Sequence, residues 1–276
     1  RTEGEIVQMM LGREITAHFP PKPPPPETAT PMLALKNYGW EGRLKGINLT
    51  VGAGEIVGLG GLDGQGQNEL LLGLFGVLKG TTGQVTVQGK DVTINSPLDA
   101  KRAGVDLALI PEDRKTEGLM LPMSIADNLT IASLGRLSNG PFVNAEAMAT
   151  AVDEGIRRMQ IKIGSSADPV STLSGGNQQK VVIAKWLMTD PKIILLNDPT
   201  RGIDVGTKQE IYRLLRELAD AGASIIFYST DYEELIGCCD RVAVFYDGEV
   251  VRELAGDEIN ERAIIASALK MNEAAE

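Results

Sequence analysis

The sequence predicts an α/β fold, a mostly parallel sheet covered on both faces by helices. Three observations carry it. Short runs of Val, Ile and Leu recur along the chain, stretches with helical spacing separate them, and a glycine-rich turn joins one such run to a helix at 55–75.

Residues 3–13 place Ile6, Val7, Met10 and Leu11 at helical spacing. Pro20, Pro21, Pro23, Pro24, Pro25 and Pro26 follow, and such a run favours extended polyproline geometry. A helix before it and a strand after it favour a semi-rigid spacer over a proline-rich ligand. Residues 1–31 are therefore expected to be the end of a preceding domain and its linker, and 32–276 a second domain.

Within that domain 33–38 and 46–51 read as early strands, 55–61 as a buried strand and 67–76 as a helix. Strict alternation at 83–88 and an apolar run at 105–111 give two more strands. Polar loops and helical stretches around 124–134 and 144–160 then interrupt the pattern, so an inserted helical subdomain is expected at about 113–176. Strands return at 192–198, 224–229 and 241–248, with helices at 204–221, 231–237 and 260–269.

Composition excludes several chemistries. Lys and Arg number 27 against 37 Asp and Glu, a net charge of −10, which argues against a nucleic-acid partner. The only cysteines, Cys238 and Cys239, are adjacent, so they suit burial in a reducing compartment and not a zinc framework. One histidine, His18, removes Ser-His-Asp, Cys-His and multi-His metal sites together.

Two segments carry chemistry. In EIVGLGGLDGQGQNELLLGLF, 55–75, a strand ends at Gly60, Gly61, Gly64 and Gly66 line a loop, and a helix opens near Gln67. Backbone N–H groups freed by glycine at a helix N-terminus suit phosphate oxygens, the frame of a P-loop, although a purely structural glycine turn has the same appearance. The lysine position of that frame holds Gln67 and the hydroxyl position Asn68. In STLSGGNQQKVVIAKWLM, 171–188, a serine and two glycines open a second helix. This suits an anion, and it also suits Ser174 as a plain N-cap.

With KIILLNDPTRGID following it, LSGGNQQK makes the chain resemble the nucleotide-binding domains of ABC transporters from about residue 33 to 255. The form is that of the ribose/galactose/xylose-type sugar importers. The resemblance implies a P-loop NTPase core of RecA type with an added antiparallel β subdomain. It implies that Leu173, Ser174, Gly175, Gly176, Asn177 and Gln178 form the signature, KIILLNDPT the Walker B strand, RGID a D-loop containing Asp204, and STD the switch. LIPEDRKTEGLMLPMSIADNL, 109–129, is similar to the family's Q-loop and the transporter-facing stretch after it, with 116–128 the expected contact with a membrane subunit. PEDRK, 111–115, reads equally as a transmitting loop or a solvated turn. Tyr38 or Trp40 could stack on adenine, with packing the alternative.

The departures from the family pattern are specific. Besides Gln67 and Asn68, Walker B ends Asn197–Asp198 in place of Asp-Glu, Glu112 replaces the Q-loop glutamine and Thr230 the switch histidine. Asn197 is an altered Mg²⁺ position, Asp198 a shortened acid, and Glu69 the next residue of the degenerate P-loop. Losing a charged donor and a metal-binding hydroxyl costs about two orders of magnitude or more in nucleotide handling.

The resemblance thus implies ATP and Mg²⁺ as cofactors and an ATPase whose isolated second domain is weakly active or inactive. The signature would act in trans on the first nucleotide-binding domain of the same polypeptide. Permease subunits and, indirectly, a periplasmic sugar-binding protein would be partners at the cytoplasmic face of the inner membrane. A non-catalytic regulatory domain, and uptake of nucleosides or an autoinducer, are the alternatives.

Overall fold

The computed structural model describes residues 19–22, 31–102 and 104–270. The helix expected at 3–13, His18 and Pro23–Pro26 lie outside them.

Six strands form the central sheet in the order β12-β11-β3-β10-β9-β6: β3 (Ile56–Gly61), β6 (Leu107–Ile110), β9 (Ile193–Asn197), β10 (Ser224–Tyr228), β11 (Arg241–Tyr246) and β12 (Glu249–Ala255). All pair in parallel except β12, which runs back along β11. Strands β3, β9 and β10 are buried at every position, which is why each reads as an unbroken apolar run and not as an alternation. Alternate residues still separate: Ile194 and Leu196 join one core, Ile193 and Leu195 the other.

The second sheet is antiparallel, ordered β2-β1-β4-β5 from β1 (Pro31–Trp40), β2 (Leu44–Gly52), β4 (Thr82–Val87) and β5 (Lys90–Val92). Its Leu33, Leu35, Ile47 and Leu49 share a core with Leu70, Leu71 and Leu74 of α1 (Gln67–Leu74). That helix is therefore held between the two sheets, with its N-terminus at the carboxyl edge of β3.

After β6 come α3 (Ile125–Thr130), α4 (Ala145–Arg158) and α5 (Gly175–Leu187), which pack on one another, and α5 also packs on β6. Helices α6 (Val205–Asp220), α7 (Tyr232–Cys238) and α8 (Glu261–Ala268) complete the layers, each started by an Asp or Asn side chain accepting a backbone N–H. Short α2 (Pro97–Ala100) and the hairpin β7 (Ser138–Asn139)–β8 (Phe142–Val143) are the remaining elements named here.

Three differences from the sequence expectations have local causes. β12 is an edge strand with one buried residue, Leu254, so it lacks an apolar run. β5 has only three residues. Residues Arg114–Gly118, expected as loop, wind into one π-helical turn whose start is capped by the Asp113 side chain on Lys115 N–H.

Phe19 packs against the helical layer. Its ring lies 5.0 Å from that of Tyr212 on α6, and Lys22 Nζ donates to the Ile236 carbonyl on α7. Gly237 lies directly beneath, where an added Cβ would run into the Phe19 ring. Cys238 and Cys239 are both buried free thiols.

Candidate nucleotide site

The loop between β3 and α1 has the geometry of a phosphate cradle. Gly61, Gly64 and Gly66 all adopt positive φ, at 125°, 76° and 115°, a region open to glycine at little cost. Gly61 has a second reason to be glycine, since a Cβ there would lie 2.5 Å from the Phe245 carbonyl oxygen. Gln65 braces the loop against the β11–β12 turn by accepting from Asp247 N–H at 2.7 Å.

The cradle is filled from within. Gln67 is 1% exposed; its Oε1 accepts from Gln65 N–H at 3.1 Å, and its Nε2 donates to the carbonyls of Leu62 at 3.0 Å and Gly60 at 3.3 Å. A lysine there would project an ammonium towards a phosphate. The glutamine amide instead satisfies the loop's own backbone, including one N–H of the cradle. Glu69 pairs with Arg43 at 2.7 Å and stands in the first turn of α1.

Asn68 and Asn197 meet across the end of the sheet, Asn197 Nδ2 donating to Asn68 Oδ1 at 2.9 Å. Asn197 is 4% exposed, and its Oδ1 is buried without a partner among the described residues. A Mg²⁺ ion needs hard, preferably anionic, oxygen donors in octahedral geometry. Two neutral amides hydrogen-bonded to each other do not supply them, and no cluster of three His, Cys, Asp or Glu exists among the described residues. Mg²⁺ does not fit this position.

Asp198 and Thr230, expected as acid and switch, are brought together: Thr230 Oγ1 donates to Asp198 Oδ2 at 2.8 Å. Asp198 is 3% exposed with φ 43°, a strained backbone for a non-glycine residue. Burial raises its pKa, with Glu234 and Glu112 pushing the same way and the Thr230 hydrogen bond and Arg201 opposing. Glu112 itself pairs with Arg201, whose N–H donates to the Asp198 carbonyl at 3.2 Å.

The signature opens α5 with Ser174 as N-cap, its hydroxyl accepting from Asn177 N–H at 3.4 Å and Asn177 Nδ2 at 3.0 Å. Both glycines admit close neighbours. A Cβ on Gly175 would lie 2.7 Å from Arg114 Nη2, and one on Gly176 would lie 2.5 Å from Thr207 Oγ1. Leu173 is half-buried against the core. Gln178 is 5% exposed and donates to the Val170 carbonyl at 3.4 Å, so it faces the subdomain interior and not the loop's open side. Asp204 caps α6, accepting from Thr207 N–H at 3.0 Å and Thr207 Oγ1 at 2.9 Å, which holds its carboxyl below the usual range. Asp204 and Thr207 thus abut Gly176.

Tyr38 cannot stack on a base. It is 3% exposed inside the β-sheet core, and burial raises its pKa to about 12. Trp40 is half-buried, its Nε1 donating to the Lys79 carbonyl at 2.8 Å. The sequence reading missed Arg114 and Arg201 as neighbours of the signature and of Glu112. Each lies far along the chain from its contact, so no local spacing could have revealed it.

A parallel sheet with a glycine loop at the carboxyl edge of β3, an acid at the end of β9 and a Ser-Gly-Gly helix start defines a P-loop nucleotide-binding cassette. A family model described as ABC transporter matches residues 44–201, and the chain belongs to that family, whose members bind ATP. Among curated proteins it is 60% identical over 273 residues to the ribose import ATP-binding protein RbsA 1 of Mesorhizobium japonicum, covering 99% of this chain and 53% of that protein. It is 41% identical over 264 residues to the ribose import ATP-binding protein RbsA of Oceanobacillus iheyensis, covering 96% and 52%. The chain thus spans about half the length of the curated relatives it matches. Among solved structures, a nucleotide-free ATP-binding cassette superposes with TM-score 0.70 at 20% identity, covering 85% of this chain and 95% of that one. The dimeric, post-hydrolysis ATP-binding cassette MJ0796 bound to ADP and Pi superposes with TM-score 0.67 at 25% identity, covering 81% and 98%.

Proposed function

We propose that this chain is the second nucleotide-binding domain of a tandem ATP-binding subunit that drives import of ribose or a closely similar sugar. Residues 1–31 would close and link the preceding domain, 32–276 would form the cassette, and about 113–176 its helical subdomain. The observation that carries the reading is the contrast between a phosphate loop filled by its own Gln67 and a helix start whose Ser174 is exposed. The names of the curated relatives, and the half-length match to them, support the sugar and the tandem arrangement.

In this reading the productive ATP lies on the preceding domain's P-loop, with Mg²⁺ there neutralising phosphate charge. This chain supplies the lid. The Ser174 hydroxyl and the α5 N-terminus face the terminal phosphate, where a helix start favours negative charge. Phosphoryl transfer to water depends mainly on positioning and electrostatic stabilisation, and those are what a lid contributes. This chain's own pocket, without lysine or metal donors, turns nucleotide over poorly or not at all.

The subunit would sit at the cytoplasmic face of the inner membrane, docked through 116–128 to permease subunits served by a periplasmic sugar-binding protein. No helix of the described residues is long and apolar enough to cross a membrane, and Met120 and Met123 are 47% and 37% exposed within the docking stretch.

The test is steady-state ATPase and ribose uptake by the full-length protein assembled with its permease. Gly175→Asp, which puts a carboxylate where the phosphate would lie, abolishes both. Gln67→Ala changes both only a few-fold, because this pocket already lacks its lysine and its metal donors. Equal, severe losses would show that this chain's own pocket turns over.

A further inference from the structure

A buried carboxylate outside the motifs ties the switch, the segment after Walker B and α6 together. Glu234 on α7 is 1% exposed. Its Oε1 accepts from Lys208 Nζ at 2.7 Å, Tyr212 OH at 2.7 Å and Thr200 Oγ1 at 2.8 Å. Its Oε2 accepts from Ser229 Oγ at 2.7 Å and from the same Thr200 hydroxyl at 2.6 Å. A buried carboxylate is costly unless its lone pairs are matched, and here one ammonium and three hydroxyls match them.

The partners close a ring. Thr200 is two residues beyond Asp198, and Ser229 is the residue before Thr230, which itself donates to Asp198. With Glu234 fixing Thr200 from one side and Ser229 from the other, the Asp198–Thr230 contact is held by the backbone on both flanks. The ring also reaches outwards. Lys208 and Tyr212 lie on α6, whose capping pair Asp204–Thr207 abuts Gly176, and Arg201, next to Thr200, reaches Glu112 while its carbonyl accepts from Arg114 Nη1 at 3.4 Å.

We propose that Glu234 is a positioning residue: it sets the switch, the D-loop and the first turns of α6 relative to one another, and through α6 it sets the signature loop. This rests on the reading that the signature serves a composite ATP site. Two groups on opposite oxygens of one carboxylate should be energetically coupled, whereas independent packing residues are additive.

The experiment uses the full-length protein assembled with its permease and measures kcat and KM for ATP together with the thermal midpoint. Tyr212→Phe and Ser229→Ala each delete one hydroxyl, on opposite oxygens of Glu234. Each is expected to lower kcat by up to roughly ten-fold, the scale of one lost hydrogen bond, with KM unchanged. The double variant falls by less than the product of the two. Glu234→Gln turns an acceptor into a donor facing hydroxyls and lowers kcat further, again with KM unchanged. Multiplicative effects in the double variant, wild-type kcat in the singles, or losses confined to KM would overturn the proposal. Gly175→Asp separates the two readings. If that variant is active, the composite site fails. If it is inactive while the hydroxyl variants behave as wild type, only the role of Glu234 fails.

Discussion

Replacing Gln67 by alanine removes the amide that fills the phosphate loop, and the structure sets the size of the effect. Three hydrogen bonds are lost, to Gln65 N–H and to the Gly60 and Leu62 carbonyls. At about 0.5–1.5 kcal/mol net for each, with about 0.8 kcal/mol for a buried methylene, the sum is roughly 2–5 kcal/mol before water refills part of the space. Water entry to the polar cavity recovers a share, so a loss of about 2–3 kcal/mol is expected, or a thermal midpoint lower by about 5–10 °C. Urea denaturation of wild type and variant, fitted with a common m-value, measures it, and amide exchange at Gln65 reports the loop itself. A loss below about 0.5 kcal/mol with unchanged Gln65 exchange would refute the self-filled loop, because a solvated, unbonded glutamine is the only arrangement with so small a cost.

Three more outcomes follow from buried groups. Burial raises the Asp198 pKa above 3.8, so its charge opposes folding above that raised value and the penalty fades as pH falls towards 3.8; Asp198→Asn should be the more stable protein at neutral pH and lose that advantage in acid, measured as urea midpoints across the window. Burial, with Lys101 adding to it, lowers the Lys185 pKa from 10.5 to about 8, so wild-type stability rises as pH climbs from about 8 towards 10.5 while the unfolded chain still holds the proton; Lys185→Met should be more stable at neutral pH, with the gap narrowing across that range. Gly237→Ala should expel the Phe19 ring and cost about 1–2 kcal/mol, read as faster proteolysis near residues 19–22, and an unchanged cleavage rate would count against the packing.

The parallel strands were legible because burial on both faces leaves an uninterrupted apolar run, as in Ile193–Asn197 and Ser224–Tyr228. The helix starts were legible because Ser174, Asp204 and Asp231 are side chains that cap, and each does so. β12 and the turn at Arg114–Gly118 were not, since one has a single buried residue and the other depends on a rare backbone winding. For the candidate site, the glycine-loop frame singled out Gln67 and Asn68 and the family resemblance Asn197 and Asp198, but neither could give their partners. That Asn68 meets Asn197, or that Arg114 lies on Gly175, depends on tertiary contacts between segments far apart in the chain.

A pull on Phe19 is borne by α6 and α7 together. The aromatic stack on Tyr212 and the lysine clasp on Ile236 grip the strand of polypeptide at the α6–α7 corner, well before it enters the sheet at Pro31. Load applied at residues 19–22 therefore enters through two helices of the core before it reaches the start of β1.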